Sequence, residues 1–437
     1  MPGHRHPRLR LVRRIRAAAL TLTALAVVPA LAGAQTTALV GARVIDGRGQ
    51  VLNDTVIVVR DGKIVAYGPA DTAVPAGAQR VELKGATVMP GLINAHGHIT
   101  AANGMRNDPN GYTRENLVRQ LKTYAQYGVT TVYSLGDDQE AAFQLRNEQS
   151  SGPLDRARVF VSGPVINADT ADAARAMTDK VAAMKPDVLK IRIDDNLGSA
   201  RKMPEAAWRA TIQRGGELKL PVATHIFYLA DAKGALQAGA SVIAHSVRDL
   251  PVDAEFVREM KARNACYTPT LMREVSTFVY GSTPPWVRDP FFLKGAGEAV
   301  AAELSDPKRQ AQVQESSGYK QGLRYKEGLE VAKRNLKTLH DAGVRVAMGT
   351  DTGPAGRWQG FFEHLELEMM VDSGLTPMRT IVAATGAAAQ CHGKAGQIGT
   401  IEPGAAADFL VLSANPLDDI RNTRQIKSVW IAGRQLP

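Results

Sequence analysis

The chain has 437 residues, 44% of them hydrophobic and 22% charged, which excludes a disordered chain, a fibrous repeat and a polytopic membrane protein. Its formal net charge of +10 depends on one end of the chain, because six of the 53 basic residues but none of the 43 acidic residues precede position 35. The rest of the chain carries only +4, and this small excess predicts no nucleic-acid partner.

The first 34 residues have the pattern of an export signal. An arginine-rich segment precedes the apolar run Ala17–Val28, and Ala32-Gly33-Ala34 supplies the small residues of a cleavage site. The apolar run is shorter than the ~20 residues that a transmembrane helix needs. We therefore expect cleavage near Ala34 and a periplasmic or secreted mature protein without a stable membrane anchor. An uncleaved anchor is the alternative.

Both ends of the remaining chain are rich in short runs typical of β-strands, separated by turn dipeptides such as Asp46-Gly47 and Asp61-Gly62. We expect residues 35–90 and 392–437 to form one small β-sandwich domain. The predicted strands are Ala38–Ile45, Thr55–Arg60, Lys63–Tyr67, Arg80–Leu83, Ala86–Met89, Asp408–Leu412 and Lys427–Ala432.

Residues 91–391 alternate apolar runs with amphipathic stretches, which is the pattern of an α/β protein. Eight such units favour a (β/α)8 TIM-like barrel over an open doubly wound sheet, and the sequence has no glycine-rich phosphate-binding loop. The predicted strands are Gly91–Ala95, Val129–Ser134, Arg158–Gly163, Asp187–Ile193, Pro221–Ile226, Ser241–Ala244, Ala265–Thr268 and Val344–Met348. The predicted helices include Arg114–Tyr127, Ala171–Met184, Pro204–Gly215 and Leu329–Ala342.

Two features of this region allow more than one interpretation. The long stretch between Leu271 and Leu329 predicts either an active-site lid or a packed insertion remote from the site. Cys266 and Cys391 could pair in an exported protein, but a core as large as this chain can form does not need the bridge. We therefore expect two buried free thiols.

Four histidines lie at or near the carboxyl ends of predicted strands, where the active site of a TIM-like barrel forms. His96 and His98 are two residues apart, so their side chains share one face of a strand and can bind the same metal ion. His225 and His245 end two successive apolar runs. One such histidine alone is more often a hydrogen-bonded core residue, but two that face a His-x-His pair indicate metal ligands.

Lys190 and Asp351 extend this set of candidate ligands. Strand alternation places Lys190 inside the predicted barrel, where a lysine must be paired, neutral or modified because an unpaired buried charge is costly. A neutral lysine can take up carbon dioxide as a carbamate that bridges two metal ions, and an ion pair with Asp194 is the alternative. Asp351 ends the eighth strand, where a carboxylate can bind metal and move a proton from water. Its alternative role is to cap the following helix.

Taken in order, these motifs resemble the amidohydrolase superfamily, and in particular its imidazolonepropionase-like and prolidase-like metal-dependent hydrolases. The resemblance covers nearly all of the chain after the signal, and it is much more specific for the superfamily than for a substrate. The segments that carry it are Pro90–His98, Gly128–Val132, Lys190, His225, His245, Asp351, Gly399–Gly404, Ala407–Phe409 and Asn415–Leu417.

The resemblance implies two divalent metal ions, with zinc as the expected metal and carbon dioxide bound as a lysine carbamate. The first two histidines and the aspartate would bind the more buried ion, the other two histidines would bind the second, and the carbamate would bridge them. The aspartate would also be the catalytic proton shuttle. The implied ligands are His96, His98, Lys190, His225, His245 and Asp351.

The chain departs from the family pattern near two of these ligands. Asn94 stands where an acidic residue is common, a change that tunes the basicity of the nearby ligands. Arg248 lies in a segment where many relatives have glycine, and it could either bind a substrate carboxylate or pair with Asp249. Tyr228 could reach the substrate with its hydroxyl, or it could pack within its own loop.

We therefore expect a metal-dependent hydrolase that uses a metal-bound hydroxide to cleave an amide bond in a dipeptide, an N-acyl amino acid or a cyclic amide. A mononuclear cyclic-amide hydrolase or deaminase with a structural Lys190 is one alternative. A non-catalytic binding protein on the same barrel is another, although all six ligand-type residues are present. A glycoside hydrolase would need two facing carboxylates, and only Asp351 is well placed. A homo-oligomer is compatible with the sequence.

Overall fold

A computed structural model describes Gly3 and residues 36–437 of the chain. Apart from Gly3, the predicted export signal over residues 1–34 lies outside the described residues, so the signal stays a prediction. Over the described ranges, no helix combines the length and the apolar composition that crossing a bilayer requires.

The described chain begins with short strands joined by turns, as the alternating sequence predicts. Asp61 and Gly62 connect the second strand to the third, and their φ angles of 53° and 75° match the primed turns that suit the twist of a hairpin. Every strand predicted for this part is confirmed. The strands are β1 (Thr37–Ile45), β2 (Val51–Arg60), β3 (Lys63–Pro69), β4 (Gln79–Glu82) and β5 (Thr87–Pro90).

The middle of the chain contains all eight predicted strands, and β7 and β8 form one additional short hairpin. The strands are β6 (Leu92–Gly97), β7 (Ala102–Asn103), β8 (Arg106–Asn107), β9 (Val129–Ser134), β10 (Arg158–Val161), β11 (Leu189–Arg192), β12 (Val222–His225), β13 (Val242–Ala244), β14 (Cys266–Thr268) and β15 (Arg345–Val346).

Helices alternate with these strands, and several begin at the polar cap residues that favour helix starts. The side chains of Thr113, Thr170 and Asp253 accept hydrogen bonds from backbone N–H groups in the first turns of their helices. The four predicted helices are confirmed as α1, α3, α4 and part of α11. The helices are α1 (Arg114–Gln126), α2 (Glu140–Glu148), α3 (Ala171–Ala183), α4 (Glu205–Glu217), α5 (Leu229–Ala238), α6 (Ala254–Ala262), α7 (Leu271–Val275), α8 (Pro290–Ala296), α9 (Glu298–Leu304), α10 (Pro307–Glu315), α11 (Ser317–Asp341), α12 (Phe361–Asp372), α13 (Pro377–Ala383) and α14 (Gly386–Cys391).

The C-terminal strands β16 (Phe409–Leu412), β17 (Ile426–Ile431) and β18 (Arg434–Gln435) join the N-terminal strands in one sheet. The strand order is β18-β17-β16-β5-β1-β2-β3, and β4 pairs with β1. The contact between the two ends is the antiparallel pair β5–β16, which runs from Pro90 opposite Phe409 to Thr87 opposite Leu412. The ends therefore share one mixed eight-stranded sheet. The predicted sandwich of two sheets is not confirmed, and the domain boundaries stay predictions.

The eight strands of the middle region pair in parallel, as two sheets with the orders β10-β9-β6 and β11-β12-β13-β14-β15. The predicted α/β architecture of parallel strands and intervening helices is confirmed. Backbone hydrogen bonds join the edges of the two sheets: Asp187 N donates to Val161 O at 2.8 Å, and Ala95 N donates to Met348 O at 2.8 Å. The paired strands do not make one continuous sheet among the described residues, so closure of the barrel stays a prediction.

Cys266 and Cys391 form a disulfide, so the prediction of two free thiols is wrong. Cys266 begins β14 and Cys391 ends α14, and their Cα atoms lie 5.7 Å apart, within the range that a disulfide needs. The prediction was wrong because it rested only on the argument that a chain with so large a core does not need a disulfide. The sequence does not reveal that two residues 125 positions apart meet in space.

The long stretch after β14 is a helical insertion formed by α7 to α10 and the first turns of α11. Its aromatic residues pack against the rest of the chain: the ring of Phe292 lies 5.2 Å from Trp358 and 5.1 Å from Phe361. Tyr280 adds a hydrogen bond from its hydroxyl to Gly356 O. The insertion is therefore packed, as the second of the two interpretations expects, but it is not remote from the strand ends because α7 starts directly beside them.

Candidate functional site

A cavity of about 200 Å³ opens at the carboxyl ends of the parallel strands, and all six predicted ligand residues line it. Five further residues complete its wall, three of them arginines from β11, from α7 and from the loop after Asp351. The predicted ligands are His96, His98, Lys190, His225, His245 and Asp351. The other lining residues are Leu135, Val165, Arg192, Arg273 and Arg357.

His96, His98 and Asp351 form the tightest group in this cavity. Asp351 Oδ1 lies 2.7 Å from His98 Nε2 and 3.5 Å from His96 Nε2. One nitrogen or oxygen atom from each of the three residues can be chosen so that all of them lie within 4.8 Å of one another. Two imidazole nitrogens and a carboxylate oxygen that converge in this way are a donor set suited to zinc and similar divalent ions.

The backbone is shaped to bring these side chains together. A side chain at Gly349 would place its Cβ 2.8 Å from the Cβ of His96, so only glycine allows this close approach between the chain after β15 and β6. Asp351 and His245 have φ angles of 59° and 73°, in the left-handed region that non-glycine residues rarely adopt. Strain of this kind persists where the surroundings enforce it, and it is common at functional sites.

His225 and His245 lie next to each other in the wall of the cavity, with ring centroids 4.0 Å apart, and the ring of His245 lies 4.5 Å from that of His96. His225 Nε2 lies 3.1 Å from Asp194 Oδ2, and His245 Nδ1 lies 2.7 Å from Thr270 Oγ1. Each contact uses one ring nitrogen and leaves the other to bind a metal. A metal-binding histidine typically uses its second nitrogen in this way to fix its orientation.

Lys190 lies between the two groups of histidines, with Nζ 3.3 Å from His96 Nε2. Its side chain is buried, and no carboxylate among the described residues lies within ion-pair distance of it. The alternative partner Asp194 is instead bound to Arg192, with Arg192 Nε 3.0 Å from its Oδ1, and to His225. Burial lowers the pKa of Lys190 to about 8, so a larger share of its amine is neutral near neutral pH than in an exposed lysine.

Burial also favours the neutral form of three of these histidines, which is the form that binds metal. It lowers the pKa of His225 to about 3, and it lowers the pKa of His96 and His245 well below their usual value, with Lys190 adding to the effect on His96. For Asp351, burial acts to raise the pKa, but the Arg357 guanidinium and the two histidines outweigh it. The pKa of Asp351 therefore lies well below its usual range.

Asn94 lies directly behind this group and is fully buried. Its Oδ1 accepts a hydrogen bond from His96 N at 3.0 Å, and its Nδ2 donates to Glu363 Oε1 at 2.6 Å and to Thr350 Oγ1 at 2.8 Å. Glu363 on α12 therefore supplies a carboxylate close to the position where an acidic residue was expected from the family pattern. An asparagine at position 94 suits this pairing, because a carboxylate at both positions would place two negative charges in contact.

The two residues predicted to contact substrate do not line the cavity. Arg248 is fully buried and forms an ion pair with Glu274, not with Asp249, whose side chain accepts a hydrogen bond from Leu229 N at 2.9 Å. The hydroxyl of Tyr228 donates to Asp195 Oδ1 at 2.9 Å. Arg248 thus holds the chain after β13 in place, and Tyr228 holds the loop after β11.

The sequence interpretation missed Arg273 and Arg357. Arg357 pairs with Asp351 Oδ2, and Arg273 Nε lies 4.0 Å from the same oxygen. Arg273 follows the end of β14 and Arg357 lies six residues past Asp351, so both occupy chain segments that leave the carboxyl ends of strands. The rule that located the histidines would have located these arginines if it had been applied to every strand end.

Comparison with known proteins identifies the family. The model of the amidohydrolase family matches residues 87–436. Ochratoxinase from Aspergillus niger is 24% identical over 92% of this chain and 86% of its own length. Imidazolonepropionase from Rhodococcus jostii is 24% identical over 82% of each chain. Among solved structures, a prolidase candidate from Bifidobacterium longum superposes with a TM-score of 0.75 at 25% identity, and the match covers 92% of this chain and 95% of that one.

These matches span the parallel strands, the strand-end cavity and the C-terminal strands described above. They confirm the resemblance to the amidohydrolase superfamily and to its imidazolonepropionase-like and prolidase-like members. The chain therefore belongs to the amidohydrolase family, and it is a hydrolase that acts on carbon–nitrogen bonds.

Proposed function

We propose that this protein is a metal-dependent hydrolase of small-molecule amides, with a dipeptide, an N-acyl amino acid or a cyclic amide as its substrate. The observation that carries the proposal is that six ligand-type side chains from separate strand ends line one cavity. Similarity to proteins named ochratoxinase, imidazolonepropionase and prolidase supports the same classes of substrate.

The six ligand-type residues around the cavity support a site for two divalent ions, with zinc as the proposed metal. His96, His98 and Asp351 would hold one ion. His225 and His245 would hold the other, and Lys190 would contribute to both as a bridging carbamate. Bound metal would lower the pKa of a water molecule toward neutrality and polarise the carbonyl carbon.

The chain itself supplies the positioning and the proton transfer. Asp351 Oδ2 faces Arg357 while Oδ1 faces the histidines, so its carboxylate is held in one orientation at the wall of the cavity. We assign to Asp351 the role of accepting a proton from the attacking water and delivering it to the leaving nitrogen. Asp194 and Thr270 orient the rings of His225 and His245.

A one-metal enzyme is the second candidate, because the tight group of His96, His98 and Asp351 could by itself hold one ion. In that case Lys190 is structural, and a cyclic-amide hydrolase or a deaminase is the proposed activity. Metal analysis separates the two candidates. We expect close to two metals per chain when bicarbonate is supplied, and a Lys190→Met variant should retain about one. A wild-type value near one that bicarbonate does not change would favour the one-metal enzyme.

The activity is tested by a hydrolysis screen of the metal-depleted and reloaded protein against dipeptides, N-acyl amino acids, lactams and lactones. We expect turnover of an amide only in the reloaded protein. His96→Asn should lose both metal and activity, whereas the matched control His340→Asn, on α11 and outside the cavity, should keep both. Amide turnover that survives complete metal removal would contradict the proposal.

We also infer that the eight parallel strands form a TIM-like barrel and that the mature protein is exported. The hydrogen bonds between the edges of the two parallel sheets support a barrel. The disulfide supports export, because disulfides persist in oxidising compartments such as the periplasm and are rare in the cytosol.

A further inference from the structure

An alternating chain of buried and partly buried charges runs along one wall of the cavity. Arg248 and Arg273 both pair with Glu274, Arg273 also approaches Asp351, and Arg357 pairs with Asp351 from the other side. This chain contains three guanidinium groups but only two carboxylates. One positive charge therefore has no matching negative charge.

The position of this excess charge depends on which arginines line the cavity and which are paired away from it. Arg248 and Glu274 pair with each other inside the protein, and neither of them lines the cavity. Arg273 and Arg357 do line it. The excess charge is therefore presented to the cavity by these two residues.

Arg273 has unused hydrogen-bonding capacity. Its Nη1 donates to Glu274 Oε2 at 3.0 Å, and its guanidinium lies over the ring of Tyr325, with the central carbon 4.3 Å from the ring centroid. Its buried Nε has no hydrogen-bond partner and lies 4.0 Å from Asp351 Oδ2. A buried N–H group without an acceptor is costly, so this site favours a ligand that brings an oxygen atom.

Arg357 contacts the protein through Asp351 and Ser276. Nη1 pairs with Asp351 Oδ2, and Nε donates to Ser276 Oγ at 3.2 Å. Asp351 is also a proposed metal ligand, so its charge would be shared between the metal and Arg357. A guanidinium group in this position can bind a carboxylate through two parallel hydrogen bonds, a geometry that lysine does not provide.

We propose that Arg357 and Arg273 bind a free carboxylate of the substrate. This inference rests on the proposed amide hydrolysis and narrows it to dipeptides and N-acyl amino acids, and it disfavours uncharged cyclic amides. The carboxylate supplies the negative charge that the buried chain lacks. The arginine that recognises it is therefore not Arg248, whose charge is already paired with Glu274.

The kinetic test compares each substrate that carries a free carboxylate with its C-terminal amide, in the metal-loaded protein. We expect wild type to prefer the free carboxylate. Arg357→Gln should raise KM for it by about 10- to 100-fold, the range expected when a hydrogen bond to a charged group is lost. KM for the C-terminal amide should not change, and Arg357→Lys should recover part of the loss. Arg209→Gln, which removes an arginine on α4 outside the cavity, should behave as wild type.

Arg357 also touches Asp351, so its substitution can lower kcat for both substrates. The ratio of kcat/KM between the free carboxylate and the C-terminal amide removes this shared effect, and we expect the ratio to fall toward one. An unchanged ratio in both Arg357→Gln and Arg273→Met would overturn the inference. Equal wild-type turnover of the two substrate forms would overturn it as well and would leave the proposed amide hydrolysis intact.

A binding measurement decides the question without turnover. The probe is 3-phenylpropionate, which has a carboxylate but no amide bond to cleave, and 3-phenylpropionamide is its uncharged partner. Calorimetry should show binding of the acid to the metal-loaded wild type, with a Kd at least tenfold higher in Arg357→Gln and no comparable binding of the amide. Equal binding of the two probes would refute carboxylate recognition. Failure of every amide to be hydrolysed, with selective binding of the acid, would refute only the proposed function.

Discussion

Asp351 contacts His98 and His96 through one carboxylate oxygen and Arg357 through the other. The charge on its carboxylate therefore serves both the proposed proton transfer and the stability of the arginines around it. The proposed catalytic role and the alternative role of capping a helix differ in what a neutral substitute should do.

We expect Asp351→Asn to lower activity by ~10²- to 10⁴-fold, the range for loss of a positioned general acid or base. Metal content should fall less than it does in His96→Asn, because an amide oxygen can still coordinate weakly. If Asp351 only caps a helix, Asp351→Asn should lower the free energy of unfolding by at most about 1 kcal/mol and leave turnover nearly intact. Rate, metal content and melting are to be measured on one preparation, with Asp341→Asn on α11 as the control. Near-normal turnover would contradict the mechanism.

Asn94 provides a second test at the scale of one atom. In Asn94→Asp, an oxygen replaces the Nδ2 group that donates to Glu363 Oε1 at 2.6 Å, so two carboxylates come into contact in a fully buried position. We expect a loss of about 3 kcal/mol or more in the free energy of unfolding at pH 8. The loss should shrink as the pH falls and the pair takes up a proton. Denaturant titrations at pH 8 and pH 5 measure it, and Asn264→Asp on an exposed turn should show no comparable loss. A pH-independent effect at Asn94 would contradict this account.

The disulfide makes a testable contribution at the scale of elements, since it ties β14 to α14 across 125 positions of sequence. In the chain-entropy view, a cross-link over a loop of this length stabilises the folded state by roughly 4–5 kcal/mol, because it restricts the unfolded chain. We expect Cys391→Ser to lose most of this stability. Reductant should lower the denaturation midpoint of wild type and leave the Cys266→Ser/Cys391→Ser double variant unchanged. Equal midpoints for oxidised and reduced wild type would show that the bridge adds nothing.

Helix α12 gives the fold a dependence on pH through His364, which is fully buried away from the cavity. Its ring nitrogens lie 2.9 Å from Thr423 Oγ1 and 2.8 Å from Tyr127 O, so it joins α12 to the C-terminal segment and to the end of α1. Burial lowers the pKa of His364 to about 3 in the folded chain, while the unfolded chain keeps the usual value of 6.5. The stability from this residue is therefore present above pH 6.5 and is lost as the pH falls toward 3.

We expect His364 to account for roughly 3 kcal/mol of the stability that the protein loses between pH 7 and pH 4. His364→Gln should be less stable than wild type at pH 7, but the slope of its stability against pH should be smaller over this interval. Denaturant titrations in steps of half a pH unit measure both slopes. His340→Gln on α11 should reduce the slope by less than His364→Gln does, because His340 is only partly buried and burial lowers its pKa less.

At the scale of the whole molecule, local pattern predicted most elements and picked out six residues that line one cavity, while contacts between distant parts were not predicted. Alternation and turn dipeptides located the strands because these signals depend on neighbouring residues. The pairing of β5 with β16 in one sheet, and the meeting of Cys266 with Cys391, depend on packing between segments far apart in sequence. The histidines were brought to attention because side chains at the carboxyl ends of parallel strands lie at the same edge of a sheet. The expected pairing of Arg248 with Asp249 is wrong, because the sequence does not show that Glu274 lies beside Arg248.

The export proposal also concerns the whole chain, because it fixes where the mature protein begins. N-terminal sequencing of protein recovered from the producing cell should show a start near Gln35, after Ala32-Gly33-Ala34. A Phe substituted for Ala34 should slow cleavage, because the site requires small residues. Intact protein that starts at Met1 and stays in the cytoplasm would contradict the proposal.

The sheet built from both ends of the chain also constrains when the protein can finish folding. Strand β5 leaves the ribosome hundreds of residues before its partner β16, so the edge it offers stays unpaired for most of synthesis. Pairings between such distant segments form slowly, because the intervening chain must first be ordered. The last strands to be translated therefore complete the sheet that the first strands begin. A chain truncated before residue 409 would lack β16 and would keep an unpaired edge on β5. We therefore expect the nascent chain to be prone to edge-to-edge pairing until its final segment arrives.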